Sequence, residues 1–184
     1  LFGTDDAVHT SMVILADKEE VGSDGNTGMQ CELMTDLMEE ITRALGGNFA
    51  TMKANSKCIS SDVTACYDPN FAEVFEKRNT PMLSCGAVFT KFTGSRGKSG
   101  TNDASAEYIG WLRSILANDR VIWQAAEMGK VDVGGGGTVA KYISKHNIDT
   151  IDLGVPVISM HAPYEVVSKA DVYSTYKAFC AFIK

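Results

Sequence analysis

The sequence predicts an α/β fold, a three-layer sandwich whose mostly parallel or mixed central sheet is flanked by helices. Short apolar runs bounded by Gly, Asp, Asn or Pro alternate with segments in which apolar residues recur every three or four positions. This alternation is typical of strands and helices that pack in layers around one core. The chain has 184 residues, of which 45% are hydrophobic, so it can bury a sizeable core. We therefore expect one domain over residues 1–184.

The predicted elements follow from this spacing. The strands are short and apolar, and they cover residues 11–17, 57–62, 82–92, 121–126 and 150–161. The helices cover residues 30–45, 71–77, 103–116, 138–146 and 170–183. Gly46 and Gly47 predict a clean end to the first helix, because glycine readily adopts the backbone conformation that ends a helix. Asn102 or Asp103 is expected to cap the start of the third helix.

Charge and composition exclude several classes of function. The net charge is −6 and the basic residues are scattered, whereas a nucleic-acid surface needs a concentrated positive face. No apolar run approaches the roughly 20 residues that span a bilayer, so we expect no membrane insertion. The five cysteines have no paired spacing, so neither a disulfide framework nor a cysteine-zinc site is predicted. A reducing, cytoplasmic location is therefore expected.

Polar side chains follow three of the predicted strands at the point where each strand ends. Glu19 and Glu20 follow the first strand, Asp62 ends the second, and His161 ends the last. Ligands of open α/β sheets bind outside the carboxyl ends of the strands, so we expect these side chains to meet. Hydrolysis by paired divalent metals uses carboxylate and imidazole ligands together with a free carboxylate as general base. One of the two glutamates could bind a metal while the other accepts the proton of a water.

Simpler explanations compete with these assignments. Adjacent glutamates in a loop are commonly a solvated surface feature. Asp62 could cap a short helix or begin a turn, and His161 could simply hydrogen-bond the backbone. Two glycine-rich segments, residues 93–100 and 134–137, suggest a nucleotide site. The first lacks a required glycine because Phe92 stands in its place, and the second has no lysine positioned to reach phosphate.

Several motifs occur in the same order as in a known family. They are LADKEEVGSDGNTGMQ, SSDVTACYDPNFAEVFEKRNTP, GSRGKSGTNDASAE and DLGVPVISMHAPYEVVSKADVYSTYKAF. Together they resemble the catalytic domain of aspartyl aminopeptidases and their bacterial relatives. The resemblance covers nearly the whole chain, which makes it more specific than any single motif. It implies a zinc-exopeptidase-like sheet domain that removes N-terminal residues, often acidic, from peptides.

The resemblance also implies roles for individual residues. Glu19 stands where the family has its general base, and Glu20 and His161 stand where it has ligands of one metal. Asp62 stands where it has a ligand of the other metal. Two divalent ions are implied, with zinc favoured over cobalt or manganese. The family's bridging aspartate and upstream histidine are not found in this chain.

The missing ligands shape what we expect of the chain itself. Residues 1–184 are predicted to be the C-terminal portion of the catalytic domain, without the upstream segment and the inserted dimerisation domain. The start at Leu1 agrees with a fragment or a processed form. The family assembles into dodecamers, so a homo-oligomer is implied. The chain alone is expected to bind metal weakly and to have little or no peptidase activity.

Selectivity for acidic side chains would need a fixed cation, because the net negative charge repels such substrates. Lys91 is the first candidate, and Lys98 is close to it in sequence. Thr138, which follows the second glycine run, completes the predicted substrate-binding set. A non-catalytic peptidase-like domain that binds a metal or a partner is the alternative function, and metal content would distinguish the two.

Overall fold

The computed structural model describes residues 8–96, 99–100 and 102–184. The strands are β1 (Lys57–Ser60), β2 (Thr64–Ala65), β3 (Ala87–Thr90), β4 (Trp123–Ala126), β5 (Asp149–Gly154), β6 (Pro156–Ile158) and β7 (Val166–Val167). A four-stranded sheet has the order β1-β5-β3-β4, and a three-stranded sheet has the order β2-β6-β7. In the larger sheet β1 and β5 are parallel, as are β3 and β4, whereas β3 and β5 are antiparallel. The sheet is therefore mixed, as predicted.

Helices cover both faces of the larger sheet. They are α1 (Leu33–Ala44), α2 (Phe49–Ala54), α3 (Ala106–Asn118), α4 (Ala140–Ser144) and α5 (Lys169–Ile183). Leu112 of α3 and Ala178 of α5 pack with Leu153 of β5 in the main core. On the other face, Ile143 of α4 packs in a second cluster that Met34 of α1 joins. The three-layer prediction is confirmed, and in the described part of the chain no helix is long and apolar enough to cross a membrane.

The central strand β5 presents a different chemistry to each face. Successive side chains of a strand point to opposite sides, so Ile151 and Leu153 enter the main core. Asp152 points to the other side, where Ser60 of β1 and Thr90 of β3 are its partners in register. All of these side chains are buried or nearly so. The α4 side of the sheet therefore contains a buried polar layer next to the end of β1.

The first predicted strand, residues 11–17, is wrong. The segment forms no strand, and its one pairing among the described residues is an isolated parallel bridge from Asp17 to Gly28. Its apolar side chains face outward, and Leu15 is 92% exposed. An apolar run becomes a strand only when a neighbouring strand accepts its backbone hydrogen bonds, and no described strand lies beside this one.

The last predicted strand is two strands. β5 ends at Gly154, and after Val155 the chain enters β6, which pairs with β2 and β7 in the smaller sheet. Pro156 begins β6, a position where its missing N–H leaves no ladder bond broken. The predicted cap of α3 also differs. The side chain of Ser105 accepts from Tyr108 N, while the Asn102 amide donates to Thr150 O.

Candidate metal centre

Glu19 and Glu20 lie in a loop, here called the acidic loop, that is held by hydrogen bonds among its own side chains. Glu19–Val21 form a single 3-10 turn between Lys18 and Gly22, whose φ angles are 61° and 93°. A non-glycine residue keeps such a left-handed conformation only where surrounding contacts fix it. The ammonium of Lys18 donates to Asp17 Oδ2 and to Thr27 Oγ1, each at 2.7 Å. The hydrogen bond from Lys18 also lowers the pKa of Asp17. These bonds hold the turn that presents the two glutamates.

Asp62 lies beyond the end of β1, where the chain passes close to β5. A Cβ on Gly154 would lie 1.6 Å from Asp62 O, so only glycine allows this approach. The Val63 N–H donates to Asp62 Oδ1 at 2.7 Å. Burial raises the pKa of Asp62, the hydrogen bond from Val63 opposes the rise, and the negative charge of Glu20 adds to it. Gly154 therefore fixes the position of a partly buried carboxylate.

His161 follows β6 and faces the acidic loop. Its φ is 66°, again left-handed, and its backbone N–H donates to Glu165 Oε1 at 2.6 Å. The imidazole Nε2 lies 3.3 Å from Glu20 Oε1. Both side chains are largely exposed, so the contact contributes little stability as an ion pair. It matters more as a candidate pair of metal ligands.

The electrostatics of Glu19 connect the predicted residues. Partial burial raises the pKa of Glu19 most, and the charges of Asp62 and Glu20 raise it further. The positive charges of His161 and Lys141 act in the opposite direction. Charges influence one another in this way only over short distances. The structure thus brings the two glutamates, the aspartate and the histidine together in one region.

The donor set suits a divalent metal but is incomplete. Zinc bound tetrahedrally at its usual bond lengths holds nitrogen and oxygen ligands about 3.3 Å apart. The separation of His161 Nε2 and Glu20 Oε1 is 3.3 Å. Within the described ranges, however, no three His, Cys, Asp or Glu side chains are grouped closely enough to hold one ion. Glu20 and His161 are therefore a candidate pair of ligands for one metal, while Asp62 lies nearby without joining them.

The predicted substrate-binding residues have different surroundings. The ammonium of Lys91 is paired with the carboxylate of Asp103 at an exposed position. Thr138 is buried, and its hydroxyl accepts from the Ala140 N–H at 3.3 Å. Lys98 lies outside the described residues. Among the described residues, these contacts do not connect Lys91 or Thr138 to the acidic loop. The substrate-binding roles of Lys91, Lys98 and Thr138 therefore stay predictions.

Sequence reasoning overlooked a buried carboxylate behind the site. Asp152 is 3% exposed, and neither of its carboxylate oxygens has a hydrogen-bond partner among the described residues. Burial raises the pKa of Asp152 to about 6; the hydroxyls of Ser60 and Thr138 oppose the rise, and the charge of Asp62 adds to it. Both hydroxyls are thus close to the carboxylate but outside hydrogen-bonding geometry. An acidic residue between apolar neighbours in a predicted strand is the signal that could have identified it.

Comparisons with known proteins agree on one family. The family model described as aminopeptidase I zinc metalloprotease (M18) matches residues 3–183. A probable M18 family aminopeptidase 1 of Clostridium acetobutylicum is 50% identical over 182 residues, which cover 96% of this chain and 39% of that protein. The Thermotoga maritima relative of the same name is 42% identical over 172 residues, covering 91% of this chain and 38% of that protein. The chain therefore spans about two fifths of the length of these relatives.

Solved structures lead to the same result. The crystal structure of aminopeptidase I from Clostridium acetobutylicum matches with a TM-score of 0.84 and 49% identity, over 91% of this chain and 37% of that one. The M18 aminopeptidase from Thermotoga maritima matches with a TM-score of 0.88 and 40% identity, over 92% of this chain and 39% of that one. The resemblance stated from the motifs is confirmed. The chain belongs to the M18 peptidase family of aminopeptidase I zinc metalloproteases.

Proposed function

We propose that this chain is part of a metal-dependent aminopeptidase that hydrolyses the first peptide bond of its substrates. The observation that carries the proposal is the 3.3 Å contact between His161 Nε2 and Glu20 Oε1 beside the partly buried carboxyl of Glu19. The description of the matching family supports the proposal, because it names a zinc metalloprotease. Relatives that are named aminopeptidases also support it.

Each residue at the site has a role in this proposal. Glu20 and His161 would hold one zinc ion, and Asp62 would be a ligand of a second. Bound divalent metals supply Lewis acidity that activates water and polarises a carbonyl. Glu19 accepts the proton of the attacking water on its carboxylate and returns it to the nitrogen of the leaving amine. Acids and bases that carry out such transfers commonly have shifted pKa values, as Glu19 has.

The proposed domain boundaries follow from the ligand count. The described residues group too few ligating side chains for a complete site, and the chain spans 39% of its Clostridium relative. We therefore propose that residues 1–184 are the C-terminal portion of a catalytic domain. The bridging aspartate, the upstream histidine and the dimerisation domain would belong to an upstream segment. The 184-residue chain alone would then bind zinc weakly, because incomplete sites lose affinity.

Exchange of each glutamate for glutamine in the full gene product tests the two roles side by side. Glu19→Gln removes the proton acceptor but keeps the metal ligands, so zinc content should be retained while kcat falls by about 100- to 10,000-fold. Glu20→Gln removes a ligand, so zinc content should fall together with kcat. Zinc would be measured by atomic emission and turnover with leucine p-nitroanilide.

The outcomes separate the roles clearly. Turnover near that of the wild type in Glu19→Gln would remove Glu19 from the mechanism. Unchanged zinc content in Glu20→Gln would remove Glu20 as a ligand. A wild-type protein that binds zinc yet hydrolyses no peptide would instead support the non-catalytic, metal-binding alternative.

Assembly into a homo-oligomer, up to the dodecamer that the family resemblance implies, is also proposed. Exposed apolar side chains leave surface for contacts with another subunit or with the proposed upstream segment: Leu15 is 92% exposed and Val13 is 55% exposed, on a segment without a strand partner among the described residues. Large exposed apolar surfaces commonly mark contacts with other protein surfaces. Light scattering of the purified gene product would give the number of subunits.

A further inference from the structure

A polar cleft lies next to the acidic loop. It has a volume of about 730 Å³, and Gln30, Lys141, Tyr142 and Lys145 are among the residues that line it. The amide of Gln30 donates to Gly22 O at 2.8 Å, and the hydroxyl of Tyr142 donates to the same oxygen at 3.1 Å. Gly22 closes the turn that carries the glutamates. The wall of the cleft is therefore hydrogen-bonded to the turn that carries Glu19 and Glu20.

Two lysines carry positive charge into this cleft. The ammonium of Lys141 lies 4.7 Å from the centre of the Tyr142 ring, and that of Lys145 lies 5.5 Å from the same centre. In the described part of the chain neither ammonium is paired with a carboxylate. Lys91 differs, because Asp103 neutralises it. Two unpaired like charges around one ring repel each other, and a bound anion would relieve that repulsion.

Lys141 is partly exposed and lines the cleft beside two glycines. A Cβ added to Gly137 would lie 3.8 Å from Lys141 Nζ, and one added to Gly100 would lie 3.9 Å from it. The lysine therefore runs alongside the backbone of these two glycines at the edge of the cleft. Its positive charge is also close enough to act on Glu19. A group bound at Lys141 would consequently lie near the reacting part of a substrate.

We propose that Lys141, assisted by Lys145, binds a carboxylate of the peptide substrate and so determines which peptides the site prefers. The inference rests on the proposed aminopeptidase function. The net charge of −6 repels anionic peptides from the protein as a whole, so a local cation is needed for them to bind. The carboxylate has two possible sources, the side chain of an acidic N-terminal residue or the free C-terminus of a short peptide.

Three peptides that share one neutral reference distinguish these sources. Leu-Leu-amide is the reference, Asp-Leu-amide adds a side-chain carboxylate, and Leu-Leu adds a C-terminal carboxylate. Their dissociation constants would be measured by NMR titration of the metal-free full gene product, in which no turnover occurs. We expect one acidic peptide to bind at least about tenfold more tightly than the reference, as for a charge-assisted hydrogen bond.

Variants assign that preference to a residue. Lys141→Met should abolish it and Lys141→Arg should retain it, while the circular dichroism spectrum shows that both variants fold. Lys57→Met is the matched control, because Lys57 also lies over an aromatic ring, 5.0 Å from the centre of Trp111, but at the opposite end of β1 from Asp62. This control should leave the preference unchanged.

Several results would overturn the inference. They are a wild-type protein without any preference, a preference that survives Lys141→Met, and a preference that is lost in Lys91→Met but not in Lys141→Met. The proposed function is judged separately by turnover of the same peptides with zinc. If zinc-loaded protein cleaves none of them while the Lys141-dependent preference persists, the aminopeptidase proposal fails and the carboxylate site stands.

Discussion

Replacement of Asp152 by asparagine measures how much the buried Asp152 carboxylate lowers the free energy of unfolding. Asp152 lies on the central strand β5 between Ser60 and Thr90, is 3% exposed, and has no hydrogen-bond partner for either carboxylate oxygen among the described residues. A buried charge without a partner is unfavourable, and the protein responds with a pKa of about 6 in place of the usual 3.8. Asparagine has nearly the same size and carries no charge.

The sign and size of the effect follow from this shift. Because the folded protein binds the Asp152 proton more tightly than the unfolded chain does, the protonated carboxyl favours folding below the unfolded pKa of 3.8. That contribution is lost as the pH rises through the folded value of about 6. A difference of about two pKa units corresponds to about 3 kcal/mol. Above this range the ionised carboxylate destabilises the fold by that amount, whereas asparagine does not titrate.

Urea denaturation in a chelating buffer measures the difference. Between about pH 4 and about pH 8, the free energy of unfolding of Asp152→Asn should rise by about 3 kcal/mol relative to that of the wild type. Asp149→Asn is the control, because Asp149 is on the same strand but exposed. A difference between Asp152→Asn and the wild type that stays constant across this pH range would refute the assignment of a buried, unpaired carboxylate.

Two further substitutions test how the fold positions the site. Gly154→Ala places a methyl group 1.6 Å from Asp62 O. We therefore expect a loss of about 1–3 kcal/mol in the free energy of unfolding and a fall in zinc content. Unchanged zinc binding would contradict the role of this contact in placing Asp62. Asp171→Ala removes the acceptors of the Ser84 and Gly86 N–H groups, each bonded at 2.7 Å, and should cost about 3 kcal/mol in urea denaturation without changing zinc affinity. A loss below about 1 kcal/mol would mean that water replaces both bonds.

The helices were the most predictable part of the fold. The predicted segments 30–45 and 170–183 agree with α1 and α5 within a few residues, because their apolar spacing is local and sustained. The segment 11–17 has equally apolar residues, yet it pairs only at Asp17. A strand depends on a neighbour elsewhere in the chain, and composition carries no information about that neighbour. The short strands β2 and β7 were missed for the same reason.

The position of the site was predicted from the ends of strands, but only some of its residues are placed in that way. Asp62 does follow β1, as the pattern indicates. Glu19 and Glu20 follow no strand; the bonds of Lys18 to Asp17 and Thr27 hold their loop. Such a closure depends on side chains ten residues apart in sequence, which periodicity does not reveal. Lys141 was missed because a lysine in a short helical segment is ordinarily a solvated surface residue.

Three carboxylates whose pKa is raised by burial and two lysines without an ion pair lie in one region of the described chain. Burial raises the pKa of Glu19, Asp62 and Asp152 alike, so each carboxylate destabilises the metal-free fold at neutral pH. The charge of Lys141 partly opposes the rise for Glu19, but among the described residues Lys141 and Lys145 form no ion pair with a carboxylate. Local departures from good packing and charge pairing concentrate at functional sites, because a bound ligand supplies the missing interactions. Divalent cations beside the carboxylates and a substrate carboxylate beside the lysines would satisfy both sets of charges at once.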